Sequence, residues 1–438
     1  MKESIGYLQE IKKVYTPHKV IEEATRCLLC YDAPCSKACP ANTNPAKFIR
    51  SLRFRNLKGA IETIRENNVL AGVCSRVCPH DKYCEGACSK CGIDTPVKIG
   101  EIQRYLIHYE KTNDIRILEK AAFDKEKVAI IGSGPSGLSA AANLAQKGYK
   151  VTVFEDKEKA GGWLSYGIPP YKLSSEIVDY EINYIKELGV EFKLNCKINR
   201  DKSFKSLIED EFKAILIACG LQKSKYIDIK GKELKGVIKG VDFLEEAKIN
   251  KGNIKLGNKV IVIGGGDVAI DAAATAKFLG AEDVKVVYRR NIEKMPAKAH
   301  GKKFLTYLNI PVFTGFIPIE INGKDKYATS VKFQGMFDKS KLELEADMII
   351  FAIGQELSDL EELGYIDKNE NGVIIDNNCK TNLDGIFACG DIIEGDRNVV
   401  YSVASGTKAA NGIDAYLSNK REENKSSDEV ATVKEEGV

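Results

Sequence analysis

Two glycine-rich turns, about 130 residues apart, constrain the fold of this 438-residue chain more than any other feature. In the first, the apolar run Lys127-Val-Ala-Ile-Ile enters Gly132-Ser133-Gly134-Pro135-Ser136-Gly137 and then the helical stretch LSAAANLAQKG. This is G-x-G-x-x-G between a strand and a helix. Gly132 permits the tight turn, Gly134 lets a pyrophosphate approach the backbone, and Gly137 lets the helix pack on the strand. The helix N-terminus offers unpaired N–H groups and the positive end of its dipole to phosphates. The next strand, VTVF, ends at Glu155, where an acidic residue binds ribose hydroxyls.

The second turn repeats the device. The run VIVIG leads into Gly264-Gly265-Gly266-Asp267-Val268-Ala269, a G-x-G-x-x-A before a helix. Its following strand, VKVVY, ends at Arg289 and Arg290 instead of an acid. Arginine at that place accommodates a 2′-phosphate, so the site leans to NADPH over NADH. The bland alternative is a solvated arginine pair.

Two nucleotide folds in one chain imply a flavin, FAD, together with a nicotinamide. Gly162 and Trp163 follow the first unit, and Ala214 to Gly220 reads as a crossover strand back to the flavin domain. Near the C-terminus, Thr381 to Asp391 resembles the second flavin-contacting motif of two-dinucleotide-domain flavoproteins, with Gly390 and Asp391 as its G-D. That resemblance implies that Asp391 bonds the ribityl chain. A helix from Ser402 to Leu417 would aim its dipole at the flavin. Because this motif follows the second turn, the nicotinamide domain is expected to be inserted in the flavin domain.

Thirteen cysteines are present, nine of them between Cys27 and Cys91. In a reduced cytosol such crowding reads as metal or cluster ligation, not a disulfide framework. The spacing Cys27-x2-Cys30-x4-Cys35-x3-Cys39-Pro40 is close to the bacterial ferredoxin run. The second group, Cys74, Cys78, Cys84, Cys88 and Cys91, lacks the paired C-x2-C of a zinc ribbon. Two 4Fe–4S clusters need eight ligands, and spacing alone leaves open which cysteines serve. The remaining Cys196, Cys219, Cys379 and Cys389 read as small buried hydrophobes.

Charge and composition narrow the function. Sixty-five basic against 62 acidic residues argue against a nucleic-acid partner. No run of 18 apolar residues appears and the N-terminus has no apolar h-region, so the expected location is cytoplasmic. The fold class expected is α/β. A helical cluster domain spans 1–120, with apolar residues at helical spacing from Pro45 to Asn67, ahead of two Rossmann-like domains. The flavin domain takes 121–225 and 355–417, the nicotinamide domain 226–354, and 418–438 is a disordered tail. A nicotinamide gives two electrons, clusters pass one at a time, and a flavin belongs between them. No C-x-x-C follows Cys91, so reducing power leaves through the clusters and not through a dithiol.

At this point the chain resembles the flavin/iron–sulfur family of the glutamate synthase small subunit and the N-terminal half of dihydropyrimidine dehydrogenase, over about residues 20–417. The stretches Phe48-IRSLRFRN, Cys74-SRVCP, Lys82-Tyr83-Cys84 and Ile99-Gly-Glu-Ile-Gln103-Arg104-Tyr105 are similar to bacterial dihydropyrimidine dehydrogenase subunits. The resemblance implies Cys27, Cys30, Cys35 and Cys88 on one cluster, and Cys39, Cys78, Cys84 and Gln103 on the other. Spacing alone admits Cys74 or Cys91 in place of Gln103. The resemblance further implies an electron-input subunit of a hetero-oligomer. Its partner would be a PreA-like FMN and iron–sulfur subunit that reduces uracil and thymine. The alternatives are a glutamate synthase small subunit and, against the paired nucleotide motifs, a non-enzymatic cluster sensor.

Overall fold

The first glycine turn leaves the central strand of a five-stranded parallel sheet. The computed structural model describes residues 5–198, 200–221, 223–297, 299–357 and 366–435. Across this sheet the order is Ile386–Ala388, Phe212–Ile217, Lys127–Ile131, Lys150–Phe154 and Glu191–Lys193. The central strands are buried after their first residue, as continuous apolar runs must be when both faces are covered.

A second parallel sheet has the order Val237–Lys239, Met348–Phe351, Lys259–Ile263, Asp283–Tyr288 and Val312–Thr314. The repeat seen in the glycine turns is therefore a repeat of a whole sheet. Only the first-named edge strand differs in origin: it follows the other strands in the first sheet and precedes them in the second. An antiparallel meander, Phe316–Lys324, Tyr327–Gly335 and Lys341–Glu345, is added to the second sheet's unit. In the first sheet Ile386 pairs in register with Ile215. The chain thus leaves between these two strands and returns, and the second sheet is inserted in the first, as expected.

By contacts the residues form two units. One holds Val14–Gly162, Glu176–Leu221 and Asp359–Val438, and the other Met1–Lys13, Trp163–Ser175 and Gln222–Ser358. By contacts the cysteine-rich part is grouped with the flavin-type sheet. The cause is a buried charge triad, Arg65 with Glu110 and Glu181, that ties its helices to the helix Ser175–Glu187. The first residues go elsewhere because Tyr7 is buried against Tyr171, with ring centroids 6.3 Å apart.

The cysteine-rich helices Pro17–Thr25, Pro45–Arg53, Leu57–Arg65, Ala71–Val77 and Ile99–Thr112 enclose Val20, Phe48, Leu52, Ile61, Ile64 and Leu106. The apolar spacing from Pro45 to Asn67 belongs to two helices. Arg55 takes φ +61° between them, and Asn56 caps the second by accepting from Gly59 N at 2.9 Å. The last helix runs from Val399 to Glu435, through most of the segment expected to be disordered, of which 436–438 lie outside the described residues. Lys420 pairs with Asp384 and Arg421 with Glu126, each at 2.8 Å, and the sequence beyond is rich in the helix formers Glu and Lys. Among the described residues no helix is long and apolar enough to cross a membrane.

Candidate functional site

The three glycines of the first turn meet three different demands. Gly132 has φ +102°, and a Cβ there would stand 2.5 Å from Ala218 O. A Cβ on Gly137 would run into Gly132 O, so the helix could not lie on the strand. A Cβ on Gly134 would meet nothing within 4 Å. That open space, ahead of the helix Pro135–Gln146, is where a pyrophosphate needs access. Ser133 binds the turn together, and Gly161 N donates to its Oγ at 3.0 Å. Gly162 brings its backbone close behind, since a Cβ there would lie 2.9 Å from Gly134 Cα.

Glu155 is buried and accepts from Ser133 N and from Lys157 N, both at 3.0 Å. Burial, helped by a hydrogen bond shared with Asp156, pushes its carboxyl up to about 7. From the other end of the chain, Gly390 N donates to Ser405 Oγ at 2.9 Å, and a Cβ on Gly390 would strike Ser136 Oγ. Asp391 beside it is raised by burial and opposed by Arg397 and by Ser402, whose Oγ donates to it at 3.4 Å. The structure thus gathers Gly132 to Gly137, Glu155, Gly162, Gly390 and Asp391 at one end of one sheet. Trp163 is sorted differently. It belongs to the other unit, beneath Gly167 and against the core of Val262, Ile270 and their neighbours.

The second turn has the same geometry. Gly264 has φ +150°, and a Cβ there would strike Ala352 O, while Gly266 opens on empty space before the helix Asp267–Phe278. Ala269 is fully buried where the first turn has Gly137. Arg289 and Arg290 are exposed, with the Arg290 guanidinium 5.9 Å from the Tyr288 ring centre. The loop beyond them folds back, because Ala297 N donates to Gly265 O at 3.0 Å.

Four cysteines from two parts of the sequence come together. Cys27, Cys30, Cys35 and Cys88 line one cavity, closed by Ala33, Ile49 and Ile99 among others. Cys30 Sγ donates to Ser89 Oγ at 3.4 Å, and Arg53 reaches Cys27 O at 3.2 Å. Burial pushes the Cys27 and Cys35 thiols up, and neighbouring thiolates push the same way. Such a donor set calls for a cationic core to offset the charge. Among the described residues no three Cys, His, Asp or Glu side chains converge as a single metal ion requires. Thiols standing around a shared cavity suit a cluster better than one zinc.

Of the residues expected on the other cluster, Cys84 is buried, and its thiol is raised by burial first, then by Glu85 and Cys39. Gln103 is buried with its Nε2 donating to Ala71 O at 2.8 Å, which leaves the amide oxygen as the end able to ligate. Cys74 is also buried and within the field of Cys39, its thiol pushed up to about 12 mainly by burial. Cys91 is exposed, with Sγ 3.4 Å from Glu85 O.

Sequence reasoning missed the link between this set and the last helix. Tyr83, next to Cys84, donates to Asp396 Oδ2 at 2.8 Å and accepts from Asn398 Nδ2 at 3.0 Å. Asn398 caps the helix by accepting from Tyr401 N at 3.1 Å. Asn398 one residue before a helix was the only signal available.

Residues 126–410 match the family described as pyridine nucleotide-disulphide oxidoreductase, and residues 4–115 match the dihydropyrimidine dehydrogenase domain II with a 4Fe-4S cluster. The chain is 41% identical over 412 residues to the NAD-dependent dihydropyrimidine dehydrogenase subunit PreT of Salmonella typhimurium, covering 94% of this chain and 98% of that protein. It is 31% identical over 449 residues to the glutamate synthase (NADPH) small chain of Azospirillum brasilense, covering 94% and 92%. Among solved structures, the thioredoxin reductase of Lactococcus lactis shares the fold, with a TM-score of 0.56 at 24% identity over 67% of this chain and 100% of that one.

Proposed function

Because the chain belongs to the pyridine nucleotide-disulphide oxidoreductases, among the iron–sulfur subunits of the bacterial dihydropyrimidine dehydrogenases, we propose that it is the electron-input subunit of an NAD(P)H-dependent dihydropyrimidine dehydrogenase. It works in the cytoplasm with a PreA-like partner that carries FMN and iron–sulfur clusters and reduces uracil and thymine to the 5,6-dihydro forms. When bound, the nicotinamide supplies a hydride, FAD divides the electron pair, and two 4Fe–4S clusters pass electrons singly.

The chain's own residues bind and orient. Gly134 and the helix behind it receive the FAD pyrophosphate, Glu155 takes ribose hydroxyls, and Asp391 faces the ribityl chain. Gly264, Gly265, Gly266, Asp267 and Val268 do the same for the nicotinamide coenzyme. Arg289 and Arg290 hold a 2′-phosphate, which makes NADPH the preferred donor and NADH the alternative. Here the chain departs from its NAD-dependent Salmonella relative. Cys27, Cys30, Cys35 and Cys88 hold one cluster, and Cys39, Cys78, Cys84 and Gln103 the other.

The observation that carries this reading is the cavity lined by four thiols from two parts of the sequence, in the same unit as the flavin-type turn. With no C-x-x-C after Cys91, that cavity is the outlet for electrons. The test is anaerobic reconstitution with an FMN and iron–sulfur partner subunit, following NADPH and NADH oxidation with and without uracil. Uracil-dependent oxidation supports the reading. Oxidation that depends instead on 2-oxoglutarate, glutamine and a large amidotransferase partner overturns it in favour of glutamate synthesis.

A further inference from the structure

We propose that Tyr83 is a positioning residue for electron passage between the flavin motif and the second cysteine set. Its hydroxyl, shared between Asp396 and Asn398, holds the Cys78–Cys84 loop against the first turn of the last helix. The proposal rests on the reading above that both groups are bound.

Three observations carry it. Tyr83 immediately precedes Cys84, in the segment that runs from Cys78, so it is adjacent in the chain to one of the proposed ligands. The hydroxyl is used twice, as donor to Asp396 at 2.8 Å and acceptor from Asn398 at 3.0 Å, with the phenol partly buried. Asn398 in turn caps the helix whose Ser402 reaches Asp391, the proposed ribityl contact. A loop holding thiols is thus fixed, through one phenol, to the turn that closes the flavin motif. The neighbouring Lys82–Asp396 pair, at 2.6 Å, has both side chains about half exposed. Such pairs contribute little, so the phenol is the fastening.

Electron transfer falls steeply with separation, and each electron that crosses oxidises the flavin side by one and reduces the iron side by one. Two crossings use the pair delivered by one hydride. Loosening the loop should therefore slow the crossing and leave hydride delivery alone.

The test mixes NADPH rapidly with anaerobic holoprotein, follows flavin bleaching optically, and follows iron reduction by freeze-quench electron paramagnetic resonance. Amide hydrogen exchange of residues 79–88 is measured in the same samples. Tyr83→Phe, which keeps the ring, should bleach flavin at the wild-type rate, reduce iron about tenfold more slowly, and exchange faster over 79–88. Lys82→Ala should match wild type in all three, and Asp396→Asn, which keeps an acceptor, should recover much of the iron rate. An unchanged iron rate in Tyr83→Phe overturns the proposal. If exchange rises while the rate holds, the link is structural only and the proposal fails. Wild-type protein that bleaches without reducing iron overturns the functional reading, and this proposal with it.

Discussion

Arg65 Nη1 lies 2.6 Å from Glu181 Oε2, and neither side chain reaches solvent. Arg65 also meets Glu110 at 2.6 Å, and Glu181 accepts the Gly72 N–H at 2.6 Å. One guanidinium joins three helices. Its removal would leave two carboxylates facing each other in the interior, and breaking such a buried pair costs about 3–5 kcal/mol. Arg65→Met is expected to lose that much, read from the urea midpoint. Burial already raises Glu181 against the opposing pull of Arg65, and without the arginine it rises further. A raised carboxyl favours the protonated fold, so the variant should weaken as pH rises above the ordinary carboxylate range. A loss independent of pH would contradict this account.

Gly134 and Gly137 separate ligand space from packing space. Gly134→Val should leave the cofactor-free protein near wild-type stability, because its Cβ position is open. FAD retention should fall at least about tenfold, a difference of about 1.4 kcal/mol. Gly137→Val should destabilise the fold itself, because its Cβ would run into Gly132 O. Thermal melts and fluorescence titration with FAD distinguish the two.

Glu155, held near 7 by burial, should make flavin binding depend on pH. Ribose hydroxyls donate to a carboxylate, so binding expels the proton. Affinity should rise with pH by up to about tenfold per unit and level off above about 7. In the cofactor-free protein the sign reverses, since a raised carboxyl stabilises the fold at low pH and loses that contribution as pH climbs through about 7. Glu155→Gln should flatten both dependences, as measured by titration and by melting at several pH values.

Arg289→Glu should weaken NADPH far more than NADH. Charge-assisted bonds to phosphate contribute roughly 1.5–3 kcal/mol each, so a selectivity change of at least about tenfold is expected in KM. Equal losses for both coenzymes would remove the 2′-phosphate role from the exposed arginine pair.

Cys30→Ser should lower iron content by about half if each cluster carries four irons, whereas Cys91→Ser should leave it unchanged. Cys30 lines the thiol cavity, and Cys91 is exposed with its sulfur against backbone carbonyls. Gln103→Ala compared with Cys74→Ser tests which of these two buried residues completes the second cluster's ligands. Colorimetric iron assay on anaerobic protein is sufficient.

Much of the fold was legible because some positions admit one kind of residue. Gly132 and Gly264 need left-handed backbone with no side chain, and each marks the turn after a central strand of a parallel sheet. The insertion was legible because Gly390 and Asp391 follow the second turn. Contacts between remote side chains were not. Apolar periodicity marks the face a helix buries, but it is silent on Arg65, a charge on that same face that welds two expected domains. It also runs through Phe54 and Arg55, where a cap at Asn56 starts a new helix. Trp163 follows the flavin-type glycines directly, so adjacency gave no hint that it packs in the other unit. The first thiol set was recoverable only by resemblance, since Cys88 lies far from Cys35 in sequence and joins it through folding.

The strand Ile386–Ala388 and the last helix complete the sheet begun by Lys127–Ile131, and Gly406 on that helix has no room for a Cβ against Ser136 O. A ribosome making this protein therefore releases the inserted unit, Gln222–Ser358, whole before the surrounding sheet has its final edge. The first glycine turn is among the earlier parts to be translated and among the last to be enclosed. A nascent chain cut short before the final strand therefore has the first glycine turn but lacks the wall that closes it.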